Sequence, residues 1–173
     1  MKCLFIYFSS TGITAKLAHE IAKGIRSKEQ VEVDFVRMKE GLIIDPDSYD
    51  IFGFGAPSYS LHAPRMVIRM LRMIDFQKKP FFVFATYNTM VGNTNWSLYR
   101  AVKSTAGICL GHLKTSVTVN IRAWKPKKNS NKKMKEFTTA HSSEACTFGQ
   151  LIYERYMEIQ QTNIQKQNKN WKP

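Results

Sequence analysis

The chain has 173 residues, 43% of them hydrophobic and 12% aromatic, and its 26 basic and 13 acidic residues give a formal net charge of +13. This length suits one domain with its own core, and this composition excludes disordered and fibrous proteins. No apolar run approaches the ~20 residues of a membrane span, and the N-terminus lacks the features of a secretory signal. We therefore expect a cytoplasmic globular domain, with an acidic partner or surface.

The cysteines and histidines do not predict a metal site. The three cysteines, Cys3, Cys109 and Cys146, are widely spaced and form no CxxC pair. This excludes a zinc site or an iron–sulfur cluster built from this chain alone. The four histidines show no metal-ligand spacing either. We expect reduced thiols that pack as small apolar groups.

The N-terminal region reads as a strand, a polar turn and a helix. KCLFIYF, from Lys2 to Phe8, is a continuous apolar run, typical of a central strand covered on both faces. Small and hydroxylated residues follow, from Ser9 to Thr14. Beyond them, apolar residues recur at helical spacing, at Leu17, Ala18, Ile21, Ala22 and Ile25.

Strands and helices alternate along the rest of the chain. Further strands are predicted at Val31–Val36, about Asp50–Gly55, Pro80–Thr86 and Leu113–Ile121. Helices are predicted after Pro64 (apolar at Val67, Met70, Leu71 and Ile74), around Asn93–Thr105, and near the C-terminus with Phe148, Ile152, Tyr156 and Ile159 on one stripe. This alternation predicts an open parallel sheet with helices on both faces, in which ligands bind outside the carboxyl ends of the strands.

Basic residues are concentrated in three places. Eight of them lie between Lys114 and Lys135 without an acidic residue, and 122–136 reads as an exposed loop. Residues 166–173 are predicted to be a basic flexible tail after a domain formed by residues 1–165. Finally, Arg65, Arg69 and Arg72 recur at helical spacing, which is typical of a solvated helix face.

The turn after the first strand predicts a phosphate site. A strand that ends in small hydroxylated residues and leads into a helix directs backbone N–H groups and the positive end of the helix dipole at one point. Gly12 would let the chain pass close to a ligand. The Walker lysine and the second glycine of GxGxxG are both missing, so a terminal monoester phosphate remains. The predicted contacts are Ser9, Ser10, Thr11, Gly12, Ile13 and Thr14.

YFSSTGITAKLAHEI resembles the signature of the flavodoxins. Its characteristic positions are occupied by Ser9, Gly12, Thr14, Ala18 and Ile21. YDIFGFGAPSYSLHAP (49–64) and FATYNTMVGNTNW (84–96) are similar to the two flavin-flanking loops of that family. The resemblance covers about Lys2 to Ile121 and implies FMN as cofactor on a five-stranded parallel sheet of order 2-1-3-4-5, with helices on both faces.

Within the flavodoxins, the spacing of this chain most resembles the N-terminal domain of proteins that fuse a flavodoxin-like domain to a bacterial-type ferredoxin domain. The ferredoxin cysteines are absent here, so the chain stands alone, is part of a longer protein, or uses a separate partner.

The second and third loops carry residues suited to a flavin ring. Isoalloxazine is planar and binds well between aromatic faces, here Tyr59 and Tyr87, with polar groups at its edge. Small residues such as Gly92 would allow close backbone approach. The predicted ring contacts are Ala56, Pro57, Ser58, Tyr59, Ser60, Tyr87, Asn88 and Gly92. No catalytic residue is predicted, because the chemistry belongs to the flavin.

Three functions are compatible with these features. The first is an electron carrier that exchanges electrons with an iron–sulfur or reductase partner, such as an acidic ferredoxin. The second is an NAD(P)H-dependent flavin or quinone reductase on the same fold, although such enzymes are usually longer between the third and fifth strands. The third is a basic module that binds polyanions, and nucleic acid would then be bound only non-specifically.

Overall fold

The computed structural model describes residues 1–27, 31–39, 43–90, 92–117 and 137–170, with side chains to residue 162. Within these ranges, five parallel strands form one sheet in the order β2-β1-β3-β4-β5, which confirms the predicted fold and strand order. The strands are β1 (Lys2–Tyr7), β2 (Glu32–Arg37), β3 (Ile51–Pro57), β4 (Phe81–Tyr87) and β5 (Cys109–Ser116). The helices are α1 (Ile13–Arg26), α2 (Arg65–Arg72), α3 (Thr94–Val102) and α4 (Thr139–Asn170), and a 3₁₀ turn, Pro46–Ser48, precedes β3.

The central strands are apolar throughout because helices cover both faces of the sheet. In β1, Phe5 belongs to a core shared with α1 and α4, whereas Leu4 and Ile6 belong to a core shared with α2 and α3. Successive side chains of a strand point to opposite faces, so one continuous apolar run supplies both cores. The apolar residues predicted for α1 and α4 lie in the first of these cores, which confirms both stripes.

Helices α1 and α4 approach each other through two glycines. A Cβ on Gly24 would overlap the backbone carbonyl of Cys146, and a Cβ on Gly149 would overlap that of Ile21. The two helix backbones are therefore in direct contact at this crossing. This contact anchors the C-terminal helix against α1, the helix that follows the predicted phosphate loop.

The predicted position of β5 was wrong by several residues. The strand is Cys109–Ser116 and not Leu113–Ile121, and residues 118–121 lie outside the part of the chain that the structure describes. Gly111 lies within the strand, although glycine is uncommon in strands. A Cβ there would lie 3.1 Å from Phe148 and 3.2 Å from Ile152 of α4. Packing against α4 therefore favours a glycine in this strand, against its intrinsic preference.

Other boundaries differ by smaller amounts. β3 continues through Pro57 instead of ending at Gly55, and α4 continues to Asn170, beyond the start of the predicted tail. The division into a domain of residues 1–165 and a flexible tail stays a prediction. The lysine-rich segment predicted at 122–136 lies outside the described residues.

Candidate functional site at the carboxyl edge of the sheet

Three loops meet where β1, β3 and β4 end. We call residues 8–12 the first loop, 58–64 the second loop and 88–93 the third loop. In the parallel registers, Tyr7 lies opposite Gly55 and Pro57 lies opposite Thr86, so the three strands end side by side. The sheet therefore brings together the loops on which the sequence placed its candidate residues.

Side chains cap the N-terminus of α1 only in part. Gly12 is the N-cap residue, with no side-chain hydrogen bond, and the hydroxyl of the buried Ser9 accepts from the Ala15 N–H at 3.4 Å. In the described ranges, the N–H groups of Ile13 and Thr14 have no acceptor. Free N–H groups at the positive end of a helix dipole suit an anion.

Gly12 is required by its backbone conformation. Its φ is +87°, in the left-handed region that glycine adopts readily. A Cβ built there would meet no protein atom within 4 Å. The structure thus gives a conformational reason for this glycine in addition to the close ligand approach that the sequence suggested.

Thr14 is bonded to the end of the fourth strand. Its hydroxyl lies 2.9 Å from the hydroxyl of Thr86, and both side chains are buried. Thr115 of β5 lies opposite Thr86 in the sheet register, and its buried hydroxyl has no hydrogen-bond partner among the described residues. Thr86 thus has Thr14 of α1 as its hydrogen-bond partner and Thr115 as its neighbour in the sheet.

Tyr59 in the second loop is fixed against the first loop. Its hydroxyl lies 2.6 Å from the hydroxyl of Ser10, and its ring packs edge-on against Phe8 with the centroids 6.4 Å apart. The side chain is still 47% exposed. One predicted ring-binding residue is therefore joined directly to the predicted phosphate loop.

A tight turn holds Tyr59 in this position. Its N–H and carbonyl exchange hydrogen bonds with those of His62, at 2.8 and 3.0 Å. The two residues between them, Ser60 and Leu61, have φ values of 48° and 71°. These positive angles match the hairpin turn that usually takes Asn-Gly. Ser60 is exposed at the tip of this turn.

The third loop packs against the second loop. A Cβ on Gly92 would overlap the backbone of Leu61, and the Asn93 N–H donates to the Leu61 carbonyl at 2.7 Å. The Ser58 hydroxyl donates to the Met90 carbonyl at 3.4 Å. The absence of a side chain at Gly92 therefore lets the second loop pack closely. The sequence predicted Gly92 only as a flavin-ring contact.

The remaining candidates lie at or near the ends of β3 and β4. Ala56 and Pro57 are buried in β3, Tyr87 is half-buried at the end of β4, and Asn88 is exposed just beyond it. No ring contact between Tyr59 and Tyr87 occurs in the described part of the molecule. The role of Tyr87 as a second aromatic face stays a prediction.

The described residues contain no group of three or more His, Cys, Asp or Glu side chains that could hold a metal ion. None of their helices combines the length and the apolar character needed to cross a membrane.

Comparison with solved structures identifies the architecture. The chain is similar to oxidised flavodoxin 1 from Bacillus cereus, with a TM-score of 0.66 and 16% identity over 89% of this chain and 98% of that one. It is similar to the two-electron reduced flavodoxin of Megasphaera elsdenii, with a TM-score of 0.61 and 18% identity over 88% and 98%. The chain has the flavodoxin-like fold.

A longer protein contains a similar unit. The flavodiiron protein from Giardia intestinalis matches 94% of this chain over 37% of its own length, with a TM-score of 0.67 and 15% identity. No family model matches this sequence. No curated protein matches it either.

Within this flavodoxin-like fold, sequence reasoning missed four residues that shape the candidate site. They are Phe8, Leu61, Thr86 and Met90, which contact Tyr59, Gly92, Thr14 and Ser58 respectively. Thr86 had a detectable signal, because it is the polar residue at the end of the apolar strand PFFVFAT. The other three act through packing or backbone groups, which leave no pattern in the sequence.

Proposed function

We propose that this flavodoxin-like chain binds FMN and carries electrons. The observation that supports this most directly is the 2.6 Å contact between the Ser10 and Tyr59 hydroxyls, which joins the loop before α1 to an exposed aromatic ring. A flavin mononucleotide needs both features at a fixed separation, one for its phosphate and one for its ring.

The first loop suits a phosphate monoester. The N–H groups of Ile13 and Thr14 and the hydroxyls of Ser10 and Thr11 are donors at or near the start of α1. Residues 8–15 contain no lysine or arginine, so the phosphate would be bound by amide and hydroxyl donors with the helix dipole. These groups all donate hydrogen bonds, so the site favours an anion over a cation although it carries no formal charge.

The second loop suits the edge and face of a planar ring. Tyr59 is fixed by Ser10, Phe8 and its own turn, so it loses little conformational freedom when a ring packs against it. FMN, when bound, would accept and release electrons at this edge of the sheet. The protein would orient it, and Ser58, Ser60 and Asn88 would supply polar groups near the ring edge.

An electron carrier needs a redox partner but no nucleophile or general base. We propose an iron–sulfur protein or a reductase as that partner. A cytoplasmic location, expected from the sequence, is part of this proposal.

The carrier is distinguished from a reductase by steady-state kinetics of the FMN-loaded protein. We expect rapid electron exchange with a reduced acidic ferredoxin and negligible NADPH oxidation in the presence of a quinone. Turnover of NADPH at many molecules per second would instead establish the reductase. Tight oligonucleotide binding that survives 200 mM salt, without FMN binding, would favour the polyanion-binding module.

A further inference from the structure

An open groove lies between α2 and α3, next to the candidate flavin site. Its volume is about 900 Å³. We call it the arginine groove, because Arg65, Arg69, Arg72 and Arg100 line it. His62, Met73 and Trp96 are also among its lining residues.

The charge of this groove is not neutralised locally. All four arginines are exposed, and no salt bridge to any of them occurs among the residues that the structure describes. Asp75 is the only acidic residue in the sequence between 51 and 102, and its carboxylate accepts from the Gln77 N–H just beyond α2. The groove is therefore complementary to a negatively charged surface.

The groove is also lined by exposed apolar side chains, Trp96 and Met73. Trp96 is 56% exposed and stacks on Tyr99, with ring centroids 5.3 Å apart and planes 15° apart. Outside the groove lining, Tyr59, Leu61, Met66 and Met90 are exposed on α2 and on the second and third loops. Arginine, tryptophan, tyrosine and methionine together are typical of protein–protein interfaces.

The groove borders two of the loops that carry the candidate flavin site. His62 and Ala63 of the second loop and Asn93 of the third loop are among its lining residues. The same second loop carries Tyr59, whose backbone is bonded to that of His62. A partner bound in the groove would therefore lie next to the loops that would hold the flavin.

We propose that the arginine groove is the docking surface for an acidic electron-transfer protein of the ferredoxin type. This inference rests on the proposed function and names its partner surface. Carboxylates of the partner pair with Arg65, Arg69, Arg72 and Arg100, because guanidinium groups match carboxylates bidentately. Trp96 supplies the apolar anchor. The sequence predicts that Arg65, Arg69 and Arg72 form a solvated helix face. In this proposal they form one wall of an interface instead.

The exposed methionines favour a protein over a nucleic acid as the occupant. Bases stack on flat aromatic or guanidinium surfaces, whereas thioether side chains suit adaptable contacts with another protein. An oligonucleotide is the competing occupant in the test.

The docking surface can be mapped by titrating the ¹⁵N-labelled 173-residue chain, with and without FMN, with a purified acidic ferredoxin. We expect the amide signals of α2, α3 and residues 59–63 to shift, and those of α1 and α4 to stay. FMN binding is measured separately by absorbance, so a failure of the flavin proposal and a failure of the docking proposal are distinguishable.

A matched pair of variants separates this surface from net charge. Arg69→Gln with Arg100→Gln removes two charges from the groove, and Lys16→Gln with Lys23→Gln removes two from α1 on the opposite face. We expect the groove variant to weaken ferredoxin binding at least about fivefold and to flatten its salt dependence, and the α1 variant to change affinity less than about twofold. Trp96→Ala should weaken binding comparably and leave the salt dependence unchanged.

Equal losses in the two charge variants would overturn the proposal, since net charge alone would then explain binding. Signal shifts confined to α1 and α4, or no shifts with ferredoxin, would also overturn it. Shifts of the groove signals by a single-stranded oligonucleotide and not by ferredoxin would assign the surface to nucleic acid instead.

Discussion

The hydroxyl of Thr14, in the first turn of α1, lies 2.9 Å from the hydroxyl of Thr86 at the end of β4. Both side chains are only 2% exposed. This contact joins the helix that would bind the phosphate to the strand that leads into the third loop. Because a hydroxyl can donate one bond and accept others, Thr14 can keep Thr86 as a partner and still serve a ligand.

Thr14→Val should weaken FMN binding by about 1.5–3 kcal/mol, the range for a hydrogen bond to a charged group. Riboflavin lacks the phosphate, and its affinity should change little. Thr14→Ser, which keeps the hydroxyl, is the matched control. Titrations of both ligands by fluorescence quenching check this, and equal losses for FMN and riboflavin would place the phosphate elsewhere.

The same pair has a consequence for stability. Thr14→Val leaves the buried Thr86 hydroxyl without this partner, which should lower the free energy of unfolding by about 1–3 kcal/mol. Thr14→Val combined with Thr86→Val removes both polar groups and should recover much of that loss. Urea unfolding of the flavin-free proteins measures both effects. Additive losses in the double variant would show that the two hydroxyls are not coupled.

Tyr59 should contribute to flavin binding through its ring more than through its hydroxyl. Tyr59→Ala should weaken binding of FMN and of riboflavin and raise the fluorescence of the bound flavin, because a stacked aromatic ring both stabilises and quenches it. Tyr59→Phe removes only the hydrogen bond to Ser10 and should have a smaller effect on both ligands. Ser10→Ala removes the same bond and also a proposed phosphate donor, so it should weaken FMN binding more than riboflavin binding. Unchanged affinity and quenching in Tyr59→Ala would remove Tyr59 from the site.

Gly12 and Gly92 should respond differently to alanine. Gly12→Ala meets no protein atom and should cost only about 1–2 kcal/mol, for a left-handed backbone. Gly92→Ala combines a φ of +51° with overlap on the Leu61 backbone, so it should cost more and displace the second loop. Thermal unfolding and the ¹⁵N amide signals of residues 58–62 check this, and equal effects would show that the contact with Leu61 is unimportant.

The glycine contact between α1 and α4 should be intolerant of added atoms. Gly149→Ala should lower the free energy of unfolding by about 1–3 kcal/mol or more, because the Cβ would overlap the Ile21 carbonyl and both helix backbones would have to separate. Ser143→Ala, at an exposed position of the same helix, is the control and should change stability by less than about 0.5 kcal/mol. A Gly149→Ala protein as stable as its control would contradict the close crossing.

Much of the fold could be predicted from the sequence because hydrophobic periodicity determines which faces are buried. KCLFIYF indicated a strand buried on both sides, and β1 supplies both cores. β5 was misplaced because α4 packs against Gly111, a contact between residues far apart in the chain. The order of the strands followed from the family resemblance and not from periodicity.

The candidate site could be predicted in its chain position and not in its internal contacts. The loop composition indicated where Ser10 and Tyr59 lie along the chain, but not that their hydroxyls meet. Likewise, Gly92 was recognised as a position needing space, and the structure shows that Leu61 occupies this space. Such contacts depend on how two loops pack, which neither propensity nor spacing encodes.

The flavin content of the purified protein is the most direct test of the proposed FMN binding. We predict a yellow protein with flavin absorption bands, which releases FMN on denaturation, or a flavin-free protein that binds added FMN more tightly than riboflavin. A colourless protein whose spectrum and stability do not respond to added FMN would show that this chain does not bind FMN.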